Sequence, residues 1–239
     1  FALVPQIAET PAETTTAPKT TTTATTTTTT AKEAIPGVEI NETNFPDPVF
    51  RQDLAKNSDK NKDGRLSDKE IADVTVLYLD ELGISDLTGI QHFENLQTLS
   101  CSYNDLTQLD ISENKSLTHL YCENNNLTTL DTSNNVLLSV LDCHNNKLTK
   151  LDFSNNPELE GVWCCDNQLT SLDVSHNTLL SDLACSNNQL ASINLSNTIC
   201  IENAEWGLLL YGNNHRIKIT DNTFDLSTLP TGFDISKAS

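Results

Sequence analysis

Oxygen-bearing side chains recur at alternate positions in one short stretch, residues 59–70. Asp59, Asn61 and Asp63 stand at its first, third and fifth positions, and Glu70 stands at its twelfth. Gly64 at the sixth position permits a sharp turn. This spacing matches the pattern D-x-[DN]-x-[DN]-G-x5-E, whose oxygens wrap around a hard cation. The stretch therefore predicts a Ca²⁺ site, with ligands from the side chains of Asp59, Asn61, Asp63, Ser67 and Glu70 and from the carbonyl of Arg65.

The alternative is an acidic surface turn that happens to match this pattern. The flanking sequence favours the cation site, because a helix is predicted on each side of the loop. Asp47 followed by Pro48 is typical of a helix start and predicts a helix to about Asn57, and residues 71–75 predict a short second helix. Mg²⁺ rarely uses a cage made wholly of protein oxygens. With a single loop in the sequence, we interpret it as a structural staple for the start of the fold.

A second group of candidate residues is spread over residues 121–166, and only a repeating fold would bring them together. A tryptophan flanked by a tyrosine, a histidine and carboxylates is typical of a site for a peptide or a sugar. The alternative is that this tryptophan only packs against its neighbours. The histidines and carboxylates lie in different columns of the repeat, so we expect neither catalysis nor zinc binding. The candidate ligand-binding residues are Tyr121, Glu123, Asp142, His144, Trp163 and Asp166.

The repeat that would collect them has a period of 21 residues. An apolar column recurs at Leu99, Leu120, Leu141, Val162 and Leu183. Cysteine follows each of these positions by two residues and asparagine by five, and a leucine column and a Leu-Asp-x-Ser segment complete the period. The pattern L-x-x-L-x-L-x-x-N-x-L is that of a leucine-rich repeat, with cysteine in the third leucine position.

Each repeat is expected to form one coil of a solenoid. Residues 98–102 would form a short strand, and equivalent strands would stack about 4.8 Å apart in a parallel sheet. Leu99 and Cys101 would point inward, and the residues between them would line the concave face. The column that begins at Asn104 would bond backbone groups of its own coil and its neighbour. The Leu-Asp-x-Ser segment would be the return turn, in which the aspartates cap backbone N–H groups.

The ends of the solenoid need caps, since a terminal coil cannot bury its leucines alone. Leu77 lies 22 residues before Leu99 and begins an irregular first coil. After Ser196 the period decays, and residues 208–211 and 216–219 flank a Gly-Asn-Asn turn, which predicts a hairpin. The predicted fold class is an α/β leucine-rich repeat solenoid of about six coils. It has a parallel sheet on its concave face, a short helical N-terminal cap of EF-hand type and a β-hairpin C-terminal cap.

Composition excludes several classes of partner. The 239 residues include 14 Lys and Arg but 33 Asp and Glu, which gives a net charge of −19. So acidic a chain should bind neither nucleic acid nor an anionic membrane surface. No run approaches the ~18 apolar residues of a membrane span, so we expect no membrane insertion. Residues 1–37 are rich in threonine and predict a disordered linker. The chain starts at Phe1 and contains no methionine, which indicates a processed or truncated piece.

The seven cysteines are interpreted as structural rather than reactive. Five of them occupy the inward column of the repeat, where a thiol behaves as a small apolar side chain. Cys165 should be exposed, and Cys200 lies outside the column. The sequence contains no C-x-x-C pair. We therefore expect no disulfide framework.

Residues 84–90, which read Ile-Ser-Asp-Leu-Thr-Gly-Ile, resemble an internalin-type repeat. Together with the calcium-loop pattern and the 21-residue coils, they make the chain from about residue 41 onward resemble bacterial cell-surface leucine-rich repeat proteins that carry an EF-hand-type calcium loop. The resemblance implies an extracellular or bacterial cell-surface location. It does not imply a particular ligand.

These observations predict four regions: a linker at 1–37, a helical cap at 38–74, the repeats at 75–201 and a C-terminal cap at 202–239. The leading hypothesis is a monomeric, non-enzymatic recognition module, an adhesin that binds a protein or glycan on the concave face. Ca²⁺ would stabilise the N-terminal cap. Two alternatives remain open from the sequence: a structural spacer on the cell surface, and an accessory domain of a larger secreted enzyme.

Overall fold

The computed structural model describes residues 37–198 and, beyond them, two short strands at Leu208–Leu209 and Lys218–Ile219. The predicted linker, apart from Gly37, and most of the predicted C-terminal cap lie outside the described residues. The described chain begins with a small cap. Its elements are β1 (Val38–Glu39), α1 (Pro48–Asn57), β2 (Arg65–Leu66) and α2 (Asp68–Asp73).

Helix α1 forms as the sequence predicts. Asp47 is its N-cap, and its carboxylate accepts hydrogen bonds from the N–H groups of Val49 and Phe50. Pro48 occupies the first turn, where a missing N–H has no cost. Phe50 and Leu54 are fully buried against the first coil's core. The helix therefore seals the N-terminal end of the solenoid.

Helix α2 covers Asp68–Asp73, so it begins ahead of residues 71–75, which the sequence predicts to complete this short helix, and it ends before Thr75. Its start is set by local hydrogen bonds. The reason is a capping box. The Ser67 hydroxyl accepts from the Glu70 N–H, while the Glu70 carboxylate accepts from the Ser67 N–H. Val74 is extended and ends the helix.

The main element is a seven-stranded, wholly parallel sheet. Ten strands follow the cap in the described residues, and seven of them belong to this sheet. In chain order the ten are β3 (Val76–Tyr78), β4 (Thr98–Ser100), β5 (His119–Tyr121), β6 (Val140–Asp142), β7 (Gly161–Trp163), β8 (Ser171–Asp173), β9 (Asp182–Ala184), β10 (Ser192–Asn194), β11 (Leu208–Leu209) and β12 (Lys218–Ile219). The sheet order is β11-β9-β7-β6-β5-β4-β3. A 3₁₀ turn at Ile90–His92 interrupts the first coil. The parallel-sheet solenoid of about six coils is confirmed.

The register of the sheet follows the sequence columns. Leu77 pairs with Leu99, and Leu99 with Leu120. All the leucines and cysteines of the two inward columns are buried in one continuous core. The six cysteines of the described part are free, five of them buried and Cys165 only partly so. This confirms the apolar interpretation of the cysteine column for those residues.

Part of the return segment forms a second sheet that the sequence analysis does not predict. Strands β8, β10 and β12 are parallel neighbours, with Ser171 opposite Ser192 and Ser192 opposite Lys218. The corresponding segments of the earlier coils, such as the one that contains Leu109, carry no strand. The return segment is thus a turn in the first coils and a short strand in the last.

The predicted C-terminal hairpin is wrong for the residues that the structure describes. Leu208–Leu209 extend the main sheet beside β9, and Lys218–Ile219 extend the second sheet beside β10, both in parallel. The two strands belong to different sheets because they are the two sides of one more coil. The step from Leu183 to Leu208 is longer than 21 residues, which is why the period disappears from the sequence here.

Asparagine ladders join neighbouring coils. Asn125 Nδ2 donates to the carbonyls of Cys101 (2.9 Å) and Cys122 (3.1 Å), one in each coil. Its Oδ1 accepts from the N–H of Leu106 at 3.0 Å. The same bonds recur along the predicted column of Asn104, Asn125, Asn146, Asn167 and Asn188. Polar groups that one coil would leave bare are therefore satisfied by stacking.

A second ladder, which the sequence analysis does not predict, runs along the return segments. Asn135 Nδ2 donates to the carbonyls of Ile111 (3.1 Å) and Asn114 (2.9 Å). Asn156 makes the equivalent bonds to Thr132 and Asn135. These side chains are fully buried and recur at Asn114, Asn135, Asn156 and Asn177. The same 21-residue period that marks the first ladder in the sequence also marks this one.

Candidate functional site

Three of the candidate recognition residues, Tyr121, Asp142 and Trp163, lie on the outward side of the seven-stranded sheet, which we call the sheet face. Tyr121 is directly opposite Asp142, and Asp142 is directly opposite Trp163, on the consecutive strands β5, β6 and β7. All three side chains are partly exposed. Neighbouring strands are about 4.8 Å apart, so the three residues form one row across the sheet.

Trp163 is seated on a glycine of its own strand. A Cβ atom placed on Gly161 would lie 2.8 Å from Cη2 and 2.9 Å from Cζ3 of the indole ring. The ring therefore occupies the space that a side chain at position 161 would take. The column that contains Gly161 has larger, partly exposed residues on the preceding strands, including His119 and Val140. The position of the tryptophan thus depends on the glycine two residues before it.

Asp142 is held by a histidine two residues later in the chain. His144 Nδ1 lies 2.7 Å from Asp142 Oδ1, and the His144 N–H donates to the same oxygen at 3.2 Å. The other ring nitrogen, Nε2, lies 3.3 Å from Nδ2 of Asn124 on the preceding coil. The imidazole is bonded on both sides, which fixes its orientation and that of the carboxylate beside Trp163.

The remaining two candidate residues are placed differently. Glu123 follows Tyr121 on the same side, and its Oε2 is buried with no hydrogen-bond partner among the described residues. Asp166 lies in the turn after β7 with a φ of 54° and accepts a hydrogen bond from Asn187 at 2.9 Å. The structure thus brings Tyr121, Asp142 and Trp163 together with His144, and leaves Asp166 at the end of the coil.

Two supporting residues escape the sequence analysis. Asn124 holds the imidazole, and Gly161 seats the indole. Gly161 had a sequence signal, because it is the one glycine in a column that otherwise reads Thr98, His119, Val140 and Asp182. Asn124 had none, because the three following coils also place an asparagine or an aspartate at this position, at Asn145, Asp166 and Asn187.

Binding suits this face better than covalent chemistry. Cys165 is the partly exposed thiol nearest in sequence to Trp163, and burial raises its pKa, so it is a poor nucleophile. Asp182, which is opposite Gly161, also has a raised pKa because it is partly buried. The face offers an aromatic surface and oriented hydrogen-bond acceptors.

The loop at 59–70 is organised by its own side chains. Asp59 accepts hydrogen bonds from the N–H groups of Lys62 (2.7 Å) and Gly64 (3.0 Å). Asn61 Oδ1 accepts from the N–H of Asp63 at 3.0 Å. Gly64 has a φ of 81°, which a side chain would disfavour. The oxygens at the first and third positions of the loop are therefore turned inward, toward the loop backbone.

Strand pairing anchors the far side of the loop. Leu66 pairs with Val38 of β1 in an antiparallel bridge and is fully buried. Arg65, beside it, pairs with Glu39 in the backbone and in a 2.6 Å ion pair. The predicted seventh-position carbonyl thus lies on a short strand that joins the loop to the start of the described chain.

Glu70 closes the loop through hydrogen bonds. Its carboxylate accepts from the N–H and hydroxyl of Ser67 at 2.9 and 2.8 Å and from the N–H of Lys60 at 2.7 Å. These donors, Ser67 first, lower the pKa of Glu70 to about 2. Within residues 37–198, no group of three or more His, Cys, Asp or Glu side chains is arranged to hold a metal ion. The donor set is rich in oxygen, but its carboxylates are bonded to the loop itself.

Comparison with known proteins follows the fold. No protein-family model matches the chain. Over 70 residues the chain is 38% identical to internalin J of Listeria monocytogenes serotype 4b, a stretch that makes up 29% of this chain and 8% of that protein. No helix within the described residues is both long and apolar enough to cross a membrane.

Solved structures of three internalins share the fold. The functional domain of InlJ from Listeria monocytogenes, which includes a cysteine ladder, has a TM-score of 0.68 and 33% identity, and the match covers 78% of this chain and 41% of that one. The internalin InlF from the same species has a TM-score of 0.60 at 21% identity, covering 79% of this chain and 62% of that one. For internalin C2 the TM-score is 0.52 at 18% identity, with 82% and 95% covered. The last two show the fold alone.

The InlJ domain is described as including a cysteine ladder, and this chain has a column of buried cysteines from Cys101 to Cys185. The chain spans less than half of the InlJ chain it matches. With its parallel sheet and its 21-residue register, the described chain has a leucine-rich repeat solenoid fold that is similar to those of the internalin structures.

Proposed function

We propose that this chain is a non-enzymatic recognition module that binds a protein or glycan ligand on the sheet face. The observation that supports this most is the row of Tyr121, Asp142 and Trp163 on three consecutive strands. A carboxylate of fixed direction between two aromatic side chains suits both a peptide and a sugar ring. The row lies on a rigid sheet, so little side-chain freedom is lost when a ligand binds.

The hydrogen bonds around the row serve the same function. The pair of Asp142 and His144 presents a carboxylate whose direction is set before a ligand arrives. Gly161 keeps the indole of Trp163 against the sheet. Residues fixed in this way act as binding anchors, whereas flexible exposed residues contribute little.

The setting of this module is part of the proposal. Similarity to internalin J favours an extracellular or bacterial cell-surface location and the function of an adhesin. The net charge of −19 argues against nucleic acid and anionic membranes as partners. We infer that the chain acts as a monomer, with no insertion into a membrane.

The proposal is tested by a glycan, mucin and host-protein array probed with the whole chain and with Trp163→Ala. The matched control is Leu137→Ala, which truncates an apolar side chain that is 48% exposed outside the sheet face. A signal that is lost in Trp163→Ala and kept in the control supports the sheet-face site. A signal kept in both variants places binding elsewhere. No signal from folded protein favours a spacer.

We also propose that the loop binds Ca²⁺ and so stabilises the N-terminal cap. The ligands would be the side chains of Asp59, Asn61, Asp63, Ser67 and Glu70 and the carbonyl of Arg65. The inward direction of Asp59 and Asn61 supports this, since the N–H groups that fix them leave a second lone pair on each oxygen. The ion would supply positive charge to a loop whose carboxylates otherwise rely on backbone N–H groups.

Melting curves with added Ca²⁺ and with a chelator test this second proposal. We expect the chelator to lower Tm, and Asp63→Ala to have a lower Tm that no longer responds to Ca²⁺. Asp105→Ala is the control, because it removes one exposed carboxylate from a coil outside the loop. A Tm that is equal in Ca²⁺ and in chelator would exclude the ion. An equal effect of Mg²⁺ would contradict the assignment to Ca²⁺.

A further inference from the structure

The N-terminal edge of the main sheet ends at β3, whose second side is unpaired. In the sheet order, β3 is the last strand and has β4 as its one neighbour. Alternate residues of a parallel strand direct their N–H and C=O groups to opposite sides. On the β4 side, the Thr75 carbonyl accepts from the Thr98 N–H at 3.1 Å, and the Leu79 N–H donates to the Ser100 carbonyl at 2.7 Å. The backbone groups of Val76 and Tyr78 therefore face away from β4.

Those groups have no hydrogen-bond partner within residues 37–198. Val76 is 41% exposed and Tyr78 is 72% exposed, the largest exposed fraction among the apolar and aromatic side chains of that range. An exposed strand edge with free donors and acceptors is a template on which another extended chain can pair. Proteins normally protect such an edge, and this one carries two exposed side chains that an added strand would contact.

The free edge opens into a groove of about 350 Å³ between β3 and the cap. Asp53, Glu70 and Asp73 are the acidic residues that line it, and Lys60 is the one basic residue. Asp73 also forms a 2.6 Å ion pair with the exposed Lys69. Burial raises the pKa of Asp53, so a cation placed nearby would meet a poorly solvated carboxylate. The groove therefore complements an extended segment with basic side chains.

We propose that the groove between β3 and the cap binds an extended peptide that carries lysine or arginine. The peptide adds as an eighth strand, pairing with the backbone of Val76 and Tyr78, and places a basic side chain against Asp53 and Asp73. Main-chain pairing supplies affinity and the acidic wall supplies specificity, as in other cases of strand addition. The site is four strand positions away from Trp163, about 19 Å, and is independent of the sheet-face proposal.

The test uses three capped hexapeptides as probes with the whole chain. One alternates threonine and lysine, the second alternates threonine and glutamate, and the third is the lysine peptide N-methylated on alternate residues. Binding is measured by titration with amide NMR, which also reports hydrogen exchange. We expect the lysine peptide to bind, with a Kd of about 1 mM or tighter, and to slow exchange of the Val76 and Tyr78 amides. The other two peptides should bind much more weakly.

Variants separate the two parts of the groove. Val76→Pro removes an N–H that faces the free edge and keeps the bonds to β4, a position where strands tolerate proline. This variant should abolish peptide binding. Tyr78→Ala, which should weaken peptide binding, is the second variant and replaces Val76→Pro in the test if the proline variant does not fold. Asp53→Asn should weaken binding about two- to fivefold at low salt, whereas Asp105→Asn, which removes an equal charge elsewhere, should not.

Three results would overturn the proposal. Exchange protection on β5 to β7 in place of β3 would assign the peptide to the sheet face. Equal binding of the lysine and glutamate peptides would remove the acidic specificity. Concentration-dependent self-association that Val76→Pro abolishes would identify a second copy of the chain, rather than a basic peptide, as the occupant.

Discussion

At the scale of single residues, the position of Trp163 depends on the missing side chain of Gly161. A methyl group there would come within 3 Å of the indole, and the indole is the freer of the two to move. We expect Gly161→Ala to displace the ring into solvent, with a red-shifted fluorescence emission and stronger acrylamide quenching. The second tryptophan, Trp206, is subtracted with Trp163→Phe. Unchanged emission from Gly161→Ala would show that the ring does not rest on the glycine.

Thr132 tests the second asparagine ladder. Its hydroxyl donates to Asn156 Oδ1 at 2.8 Å in a fully buried site, whereas Asn135 Oδ1 and Asn177 Oδ1 are buried without a partner among the described residues. Thr132→Val keeps the shape but removes this donor. We expect the free energy of unfolding to fall by about 1–2 kcal/mol, measured by urea denaturation.

Exposed Thr149→Val is the control for the threonine-to-valine change and should have little effect. If the Thr132→Val protein is as stable as the parent, then Asn156 Oδ1 can be buried without a hydrogen-bond donor at no cost, as Asn135 Oδ1 is.

At the scale of elements, the strands of the main sheet were predictable, whereas the second sheet and the chain ends were not. A strict period forces Leu99, Leu120 and Leu141 into register, so the row of Tyr121, Asp142 and Trp163 follows from counting alone. The start of α2 needed the Ser67 capping box, which competes with the loop pattern for the same serine and glutamate. The last coil is longer than 21 residues, so the sequence period ends before it. The starts of β11 and β12 are ten residues apart in the sequence, which is a spacing that a hairpin would also have.

Within the candidate site, the columns predict neighbours but not conformers. That Asp142 and His144 share a side of the strand follows from alternation. That Asn124 holds the imidazole depends on a φ of 56° in the following turn, which no column of the repeat reveals. The resting place of the indole likewise depends on side-chain torsions, which spacing does not determine.

The contact between the cap and the first coil depends on Asp47. One oxygen of its carboxylate accepts from Val49 and Phe50 in α1, and the other accepts from the N–H and hydroxyl of Ser85, at 3.0 and 3.2 Å. We expect Asp47→Ala to lower the free energy of unfolding by about 1–3 kcal/mol, since it removes a helix cap and leaves buried donors unpaired. Urea denaturation measures the change.

Ser85→Ala removes one of these bonds and should cost less. An equal loss in the two variants would contradict the view that Asp47 joins two elements, because the helix cap would then contribute nothing.

At the scale of the molecule, hydrogen-bonded carboxylates link stability to pH. Burial raises the pKa of Asp47, but its hydrogen bonds outweigh that effect and lower it. In each return segment an aspartate accepts hydrogen bonds from the hydroxyl and N–H of the serine two residues later, which lowers the pKa of the aspartate. These aspartates are Asp110, Asp131, Asp152 and Asp173. At Asp173 burial raises the pKa, and the hydrogen bonds outweigh that effect. Glu70 is lowered to about 2, while Asp53 and Asp182 are raised.

Lowered groups outnumber raised ones, so between about pH 4.5 and 2 the unfolded chain binds more protons than the folded chain. Stability is therefore fully present above the unfolded pKa values and is lost as the pH falls through the folded ones. We expect the urea midpoint to drop as the pH falls from about 4.5 toward 2. Asp131→Asn with Asp152→Asn keeps the acceptors but cannot titrate, so this variant should show a shallower dependence. A midpoint independent of pH would contradict the assignment.

The asparagine ladders also restrict how such a chain can change its length. Asn135 reaches back 21 residues for a carbonyl, and Asn156 reaches back the same distance. Loss or duplication of one whole coil gives every asparagine a new but equivalent neighbour, whereas a change by any other number moves the amides away from their carbonyls. Genes for such solenoids are therefore expected to grow and shrink in whole-repeat steps. Irregular lengths can accumulate only near the ends, as the lengthened step from Leu183 to Leu208 illustrates.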